Sequence, residues 1–311
     1  MAQIMDGKKL SADIKRRVAE DVTILAGYGI DVGLGLMIAG NDPASKEYLN
    51  ATLAACDKVG ITPFLYKFPD TVSVNEILNL VKAINRDERI NGLLVLLPLP
   101  GRINPRTVVN EIVPEKDVDG LGSLSAGKLA ADESTFQIFQ TGDYDSLYKQ
   151  DAVSAVPSFL PCTPFGVIRL LEDSGIEIKG KHAVVIGKSL AVGKPLSLML
   201  LAKEATVTVC HKATCNLSYF TKQADIICSA TGIKSLINAD MVKEGAVVVD
   251  IGINVLEDGS IVGDVDFGPV GEKASFITPV PGGVGPVTIA MLLENTVRSA
   301  KTAQLPKHPF I

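Results

Sequence analysis

The sequence predicts an α/β protein with parallel sheets in two domains. Apolar runs of strand length alternate with amphipathic helical segments along most of the chain, which is the order of βαβ units. The 311 residues exceed the usual size of one domain. Several apolar strands in the second half end in Gly, Ala or Thr, and doubly wound sheets bind ligands at such carboxyl ends. We therefore expect two α/β domains with a cleft between them.

In the first half, a helix over 8–26 precedes a strand over 32–39. A turn over 41–45 supplies a cap for a second helix over 46–59. The further elements expected here are a strand over 63–68, a helix over 74–85 and a fully apolar strand over 92–97 that stops at Pro98. This order predicts a parallel sheet covered by helices.

The alternation resumes in the second half, where Thr163 and Pro164 should open a helix as its cap and first residue. Strands are expected over 182–186, 206–210, 225–229 and 246–251, with one helix ending at Ala202 and a last one over 288–298. Between them, residues 132–151 break the pattern, with five acidic residues, one lysine and four aromatics. A stretch of about twenty residues is longer than most connections, so it is either a linker with short elements of its own or a flap.

The composition is that of an ordinary globular protein, with 47% hydrophobic and 21% charged residues and a formal charge of −5. A net acidic chain argues against a nucleic-acid partner. The N-terminus lacks a basic region followed by an apolar core, and no apolar run has the length of a membrane span. We therefore expect a cytoplasmic protein without a membrane partner.

The five cysteines are an odd count without a CxxC pair, which favours buried free thiols. Cys210, His211 and Cys215 supply three metal-ligand types in one short segment, but no fourth ligand lies nearby. Zinc sites usually show a second ligand pair, so no metal is expected.

The stretch 277–286 contains three glycines and three prolines between apolar segments. Gly282, Gly283 and Gly285 remove the side chains that would keep a flat ligand away from the main chain, while the prolines restrict the backbone. A binding loop that leads into a helix is one interpretation. A tight turn between elements is the other, because Gly and Pro mark most loops.

A second loop, over 187–195, lies between a strand and a helix. It matches neither GxGxxG nor a P-loop, yet it can place amide donors at a helix N-terminus for a phosphate. After the next strand, where NAD-binding folds usually have an acid, this chain has His211 and Lys212. Together with Lys188, two ammonium groups could meet a 2′-phosphate, which favours NADP over NAD. Both lysines could equally be solvated surface residues.

Four stretches recur together in one known family: PASKEY at 43–48, GLLVLLPLP at 92–100, PEKDVDG at 114–120 and ITPVPGGVGP at 277–286. Further matches are PCTP at 161–164, the loop over 187–195, DIGIN at 250–254 and GDV at 263–265. With these motifs the chain resembles the methylenetetrahydrofolate dehydrogenase/methenyltetrahydrofolate cyclohydrolases. The match covers nearly the whole chain and leaves only 132–158 without a counterpart.

The resemblance implies a homodimer with two domains per chain. A three-layer α/β folate-binding domain would comprise 1–130, completed by 285–311, and a Rossmann-type doubly wound domain over 161–284 would carry NAD(P). Residues 131–160 would be an insert between them. The activity implied is one-carbon chemistry on tetrahydrofolate derivatives.

The resemblance also implies roles for single positions. Tyr48 would stack on the folate and Asp119 would bond the pterin, and both count with Thr52 and Leu96 as the catalytic positions. The implied folate contacts are Tyr48, Leu49, Thr52, Val95, Leu96, Leu97, Asp119, Pro281, Gly282, Gly283, Val284 and Gly285. The implied dinucleotide contacts are Gly187, Lys188, Ser189, Val192, Gly193, His211, Lys212 and Ile253.

Two positions depart from the family pattern. The family has a lysine four residues after the tyrosine, where this chain has Thr52, and a glutamine where it has Leu96. In the family that lysine acts as an acid/base partner with help from the glutamine. Hydride removal from the methylene carbon mainly needs an aligned nicotinamide. Hydrolysis of the methenyl bridge needs a side chain that transfers protons, and neither threonine nor leucine titrates usefully.

The resulting hypothesis is a dehydrogenase that has lost most or all cyclohydrolase activity. One alternative is the ordinary bifunctional enzyme, with Lys46 or a bound water as the substitute. A non-catalytic folate or nucleotide sensor is another, because fold does not guarantee activity. A scaffold that acts through 132–158 is a third.

Overall fold

The computed structural model describes residues 1–131 and 158–304, which fall into two compact units. The six-strand unit contains Met1–Ser11, 129–131 and Thr163–Thr288, and the three-strand unit contains Ala12–Lys128, 158–162 and 289–304. The predicted insert lies almost entirely outside the described residues. The domain limits expected from the sequence stay a prediction.

The described strands are β1 (Gln3–Ile4), β2 (Gly33–Ala39), β3 (Thr62–Phe68), β4 (Gly92–Val95), β5 (His182–Ile186), β6 (Thr206–Cys210), β7 (Ile226–Ser229), β8 (Val247–Asp250), β9 (Asn254–Val255), β10 (Ile261–Val262) and β11 (Phe276–Ile277). The described α-helices are α1 (Gly7–Gly27), α2 (Pro43–Val59), α3 (Val74–Arg86), α4 (Pro105–Val109), α5 (Ser123–Ala131), α6 (Cys162–Asp173), α7 (Gly193–Ala202), α8 (Leu217–Thr221), α9 (Phe267–Lys273) and α10 (Val284–Gln304). Each is too short or too polar to cross a bilayer.

The three-strand unit is built on a parallel sheet of order β3-β2-β4. Every residue of β2 and β4 is buried, as expected for apolar strands covered on both faces. Helix α3 places Ile77, Val81 and Ile84 against this core, and a capping box of Ser73 and Glu76 fixes its start. The sheet thus places the end of β4 in the same core as α3.

The six-strand unit is built on a parallel sheet of order β1-β11-β8-β7-β5-β6. Strands β7 and β8 are buried throughout, and Val184, Ile227 and Val248 are core residues. The chain runs from β5 outward to β6 and then returns to β7 on the other side of β5. Such a reversal of strand order opens a crevice at the carboxyl ends of the strands, where dinucleotides bind in this architecture. The predicted α/β class with parallel sheets is confirmed.

Several element limits differ from those expected. Helix α2 begins at Pro43, three residues before the predicted start, because Asp42 Oδ1 accepts from Ser45 N and Pro43 fits the first turn. Strand β4 ends at Val95, so 96–97 lie beyond it. The predicted cap at Thr163 is wrong, since α6 already begins at Cys162. The last helix begins at Val284 and takes in the end of the 277–286 stretch.

Candidate active site

Tyr48 and Thr52 lie one turn apart on α2 in the three-strand unit. Thr52 is 0% exposed, and its Oγ1 donates to the carbonyl oxygen of Tyr48 at 2.8 Å. This is the usual bond of a threonine to its own helix, four residues back. The hydroxyl is satisfied locally, so Thr52 fills its position without offering an acid or a base.

The segment after β4 is joined to the first turn of α2. Leu96 is 4% exposed, and its amide donates to the Met37 carbonyl oxygen at 2.9 Å. Ser45 Oγ lies 3.0 Å from the Leu97 carbonyl oxygen and donates to it. The Leu97–Pro98 peptide bond is cis. Val95 and Leu49 are buried as well. Most of the implied folate positions described here therefore have apolar side chains that lie in the core.

One set of side chains that influence each other's pKa consists of Asp119, Tyr48 and Cys162. Burial, and to a lesser degree the charge on Asp117, raise the pKa of Asp119 to about 7, while hydrogen bonds from Cys162 oppose the shift. Burial raises the pKa of Tyr48 well above its usual value, with further contributions from Asp119 and Cys162. Tyr48 and Asp119 are therefore near neighbours, and the tyrosine remains a neutral phenol.

Asp117 escaped the sequence reasoning although it belongs to the PEKDVDG motif. It is 3% exposed and accepts from the amides of Leu121 and Gly122 at 3.1 and 2.9 Å and from Ser125 Oγ at 2.8 Å. Burial raises its pKa to about 6, and these bonds oppose the shift. Asp117 thus closes the turn that contains Asp119.

Asn295 on α10 is a second residue that sequence reasoning missed. It is 1% exposed, and its Nδ2 donates to the carbonyl oxygens of Val118 at 2.9 Å and Leu160 at 3.3 Å. Ser299 Oγ, one turn further, lies 2.6 Å from the carbonyl oxygens of both Asn91 and Glu115 and can donate its one hydrogen to either. The described part of α10 from 289 onward is thus bonded into the three-strand unit beside Asp119.

The loop after β5 has the geometry of a phosphate cradle in the six-strand unit. Gly187 has a φ of +122°, and a Cβ at Gly193 would overlap the Gly187 carbonyl oxygen, so both positions need glycine. Ser189 Oγ accepts from the amides of Val192 and Gly193 at 3.1 and 3.4 Å. The amides of 188–191 find no acceptor in the part of the chain that the structure describes. These amides can therefore donate to an anion at the start of α7.

His211 and Lys212 follow β6, directly beside that loop. Strands β5 and β6 pair in parallel up to Ile186 and Cys210, and the Gly187 amide donates to the Cys210 carbonyl oxygen at 2.8 Å. The His211 amide donates to Thr214 Oγ1 at 2.8 Å, which closes a tight turn. Lys188 and Lys212 are both exposed. The two lysines thus follow adjacent strand ends, as the sequence suggested.

The three glycines of the 281–285 segment differ in backbone conformation and in the space around them. Gly282 has a φ of +115°, and a Cβ at Gly283 would lie 2.6 Å from the Pro279 carbonyl oxygen. Gly285 has open space where a Cβ would be. The Val280–Pro281 bond is cis, and Ser11 Oγ donates to the Pro286 carbonyl oxygen at 2.8 Å. The backbone conformation explains Gly282 and close backbone packing explains Gly283, whereas Gly285 leaves room for another group.

The remaining expectations concern Ile253 and the metal ligands. Ile253 lies just beyond the carboxyl end of β8 and is 42% exposed. Four of the five cysteines are buried free thiols and Cys215 is an exposed one. Among residues 1–131 and 158–304, no three His, Cys, Asp or Glu side chains are grouped in a way that could hold a metal ion.

Comparison with known proteins identifies the family. Residues 5–119 match the catalytic domain of the tetrahydrofolate dehydrogenase/cyclohydrolases, and residues 161–304 match their NAD(P)-binding domain. The chain is also 46% identical over 299 residues to the bifunctional protein FolD of Campylobacter curvus, with 96% of each chain covered. The chain belongs to the tetrahydrofolate dehydrogenase/cyclohydrolase family. The resemblance expected from the sequence motifs is confirmed.

Solved structures agree with this family assignment. The bifunctional FolD of Campylobacter jejuni is 44% identical, with a TM-score of 0.85 and coverage of 97% of this chain and 100% of that one. The FolD of Trypanosoma brucei, complexed with NADP cofactor and inhibitor, is 33% identical with a TM-score of 0.85, and 97% of this chain and 98% of that one are covered. Most of the six-strand unit, residues 163–288, lies within the range that matches the NAD(P)-binding domain of the family.

Proposed function

We propose that this member of the family oxidises 5,10-methylenetetrahydrofolate to 5,10-methenyltetrahydrofolate by hydride transfer to NAD(P), with weak or absent cyclohydrolase activity. The observation that carries the second part is the state of two side chains. Thr52 is fully buried with its hydroxyl bonded to its own helix, and Leu96 is a buried hydrocarbon. Neither can accept or donate the protons that hydrolysis of the methenyl bridge requires.

The residues that remain suit hydride transfer. When bound, the nicotinamide ring supplies the hydride acceptor. Tyr48 offers a neutral aromatic ring as a stacking surface, and Asp119 offers a carboxyl group to the polar edge of the pterin. Loss of hydride leaves a cation shared by the two flanking folate nitrogens, so the protein has no obligatory proton to remove. Alignment of the two rings is then the main catalytic contribution.

The glycine loop fits a dinucleotide. The amides of 188–191 form an anion cradle at the start of α7, and the glycines at 187 and 193 let the backbone of this loop pack closely enough to form it. We propose NADP as the preferred cofactor, because Lys188 and Lys212 follow neighbouring strands and an acid that would bond the ribose of NAD is missing there.

We also propose that the chain forms a homodimer. Strand β3 is an outer strand of its sheet, and within the described residues it pairs only with β2. Leu65 on this strand is 38% exposed. An open edge with exposed apolar side chains is a template for pairing with a second chain. Light scattering that gives the mass of one chain would contradict this part of the proposal.

Paired assays test the enzymatic proposal. Purified protein is given methylenetetrahydrofolate with NADP or NAD, and cofactor reduction is followed. In a separate assay the decay of methenyltetrahydrofolate is compared with the uncatalysed rate. We expect faster reduction of NADP than of NAD and decay close to the uncatalysed rate.

Two of the three alternatives would produce different results in the same assays. Efficient decay of methenyltetrahydrofolate would show a bifunctional enzyme, which the names of the related proteins favour. Binding of NADP without any reduction would show a non-catalytic binding protein.

A further inference from the structure

Two buried aspartates lie beneath the carboxyl edge of the six-strand sheet, and neither is among the expected folate or dinucleotide contacts. Asp250 ends β8 and is 4% exposed, and Asp264 follows β10 and is 0% exposed. Carboxylates are almost never fully buried unless other groups bond them. The bonds that these two residues make therefore indicate their function.

Asp264 connects two segments that follow neighbouring strands. Its Oδ2 accepts from Ser229 Oγ at 2.9 Å, from the Thr231 amide at 2.7 Å and from Thr231 Oγ1 at 2.8 Å. Its Oδ1 accepts from the Ile233 amide at 3.0 Å and from Asn254 Nδ2 at 3.3 Å. One carboxylate thus joins the segment after β7 to the segment after β8.

The Asp250 carboxylate accepts hydrogen bonds from the backbone at Asp264 and its neighbours. Its Oδ1 accepts from the amides of Gly252 at 3.1 Å and Asp264 at 2.9 Å, and its Oδ2 accepts from the Val265 amide at 2.9 Å. The Asp250 amide in turn donates to Thr278 Oγ1 at 2.7 Å. Burial raises the pKa of Asp250 to about 6 against the effect of these amides.

Two glycines make this arrangement possible. A Cβ at Gly252 would overlap the carboxylate of Asp264, and a Cβ at Gly263 would overlap the carboxylate of Asp250. Neither glycine has a positive φ, so close packing and not backbone conformation requires them. The DIGIN and GDV motifs are therefore two halves of one structure, in which each carboxylate packs against the glycine of the other motif.

The joined segments lie where the second half of a dinucleotide would bind. With the glycine loop after β5 and the adenosine side toward β6, the reversal of strand order directs the other half over β7 and β8. We propose that Asp264, held by Asp250, is a positioning residue that fixes 230–233 and 251–254 for the nicotinamide half of the cofactor. The inference rests on the proposed dehydrogenase function.

An asparagine at position 264 distinguishes the hydrogen-bonding role of Asp264 from a role in which the side chain only fills space. The two oxygens of Asp264 accept five hydrogen bonds and donate none. In Asp264→Asn one oxygen becomes an NH2 group, which would face donors instead of accepting from them. The size is unchanged, but the acceptor is lost either for Ser229 and Thr231 or for Ile233 and Asn254.

The experiment compares Asp264→Asn with wild type in the complete protein. We measure kcat and KM for NADP in methylenetetrahydrofolate oxidation, the dissociation constants of NADP and of 2′,5′-ADP, and the melting temperature. We expect kcat/KM for NADP to fall about 10- to 100-fold, as small misplacements of reacting groups do. The dissociation constant of 2′,5′-ADP, which lacks the nicotinamide half, should remain that of wild type.

Two further comparisons distinguish a specific loss of positioning from a general loss of the folded state. Asp225→Asn is the matched control, because Asp225 lies just before β7 at the opposite edge of the same sheet, where it bonds Lys243 and the His182 amide. This variant should keep wild-type kcat/KM. Thr231→Val removes one donor to Asp264 and should lose activity, whereas Thr231→Ser retains the hydroxyl and should restore it.

The outcomes separate this inference from the proposed function. Wild-type kinetics in Asp264→Asn, or equal losses in Thr231→Val and Thr231→Ser, would overturn the positioning role. A loss of 2′,5′-ADP affinity in parallel with that of NADP would overturn it too, since the effect would be general. If wild type reduces no cofactor, the proposed function fails, and the ratio of NADP to 2′,5′-ADP affinity in the variants still decides the positioning role.

Discussion

The lysine and glutamine of the family pattern, introduced at positions 52 and 96, should raise the cyclohydrolase activity of this chain. The variant is Thr52→Lys with Leu96→Gln, which places the lysine one helical turn from Tyr48. Because position 52 is 0% exposed, burial will lower the pKa of the new ammonium group toward neutrality, where it can exchange protons. A positioned general acid or base contributes about 10²- to 10⁴-fold, so we expect a gain of this size in methenyltetrahydrofolate hydrolysis.

The burial of the two positions also sets the cost in stability. Leu96 is 4% exposed, so Leu96→Gln alone loses about 1.5–3 kcal/mol of apolar burial and leaves an amide that costs about 1–3 kcal/mol without a partner. Thr52→Lys alone overfills a closed position, at about 1–3 kcal/mol. If lysine and glutamine bond each other, the double variant should be about 1 kcal/mol more stable than the sum of the single changes predicts.

The assay follows methenyltetrahydrofolate decay and NADP reduction in wild type, both single variants and the double variant, with urea unfolding for the stability cycle. Thr52→Met with Leu96→Gln is the matched control, because methionine has similar length and cannot titrate. A folded double variant that reduces NADP but hydrolyses no faster than the methionine control would refute the reasoning. Efficient hydrolysis by wild type would refute it earlier.

Three further predictions concern the other parts of the site. The double substitution Lys188→Ala with Lys212→Ala should raise KM for NADP about tenfold or more and leave KM for NAD unchanged, since hydrogen bonds to charged groups contribute about 1.5–3 kcal/mol. An equal rise in KM from Lys222→Ala would argue against this role of the two lysines. The pKa of Asp119 is about 7, so if its carboxylate accepts from the pterin, kcat/KM for the folate should rise with pH through that value, and an unchanged profile in Asp119→Asn would contradict this. Gly252→Ala should lower the free energy of unfolding by about 1–3 kcal/mol, because its Cβ would overlap a buried carboxylate, and urea unfolding measures this.

The alternation of apolar runs predicted the α/β class and the positions of most elements, because period and length distinguish buried strands from amphipathic helices. Element ends were harder to predict where a side chain decides them. Asp42 starts α2 early by accepting from the Ser45 amide, and the apolar run 92–97 contains no mark of the point where pairing with β2 ends at Val95.

The buried acids could not be predicted from the sequence. Asp117 and Asp264 accept from residues up to 35 positions away, and a list of residue types does not show which donors the fold will bring to a carboxylate. The signal was present only as glycines beside aspartates in short motifs. The sequence alone gives no reason for Gly252 and Gly263, whereas the structure shows that each leaves space for a carboxylate.

The two activities of the family therefore depend on different kinds of feature in this chain. The features suited to hydride transfer are distributed over backbone amides, glycine packing and buried acids, so no single surface substitution would remove them all. In the proposed function, proton transfer to the methenyl bridge would need titratable or hydrogen-bonding side chains at two positions, 52 and 96. Threonine satisfies its own hydroxyl four residues back, and leucine needs no partner in an apolar setting, so both replacements leave no buried polar group unpaired. The loss of hydrolysis that we propose would therefore have no cost in stability and would leave the alignment needed for oxidation intact.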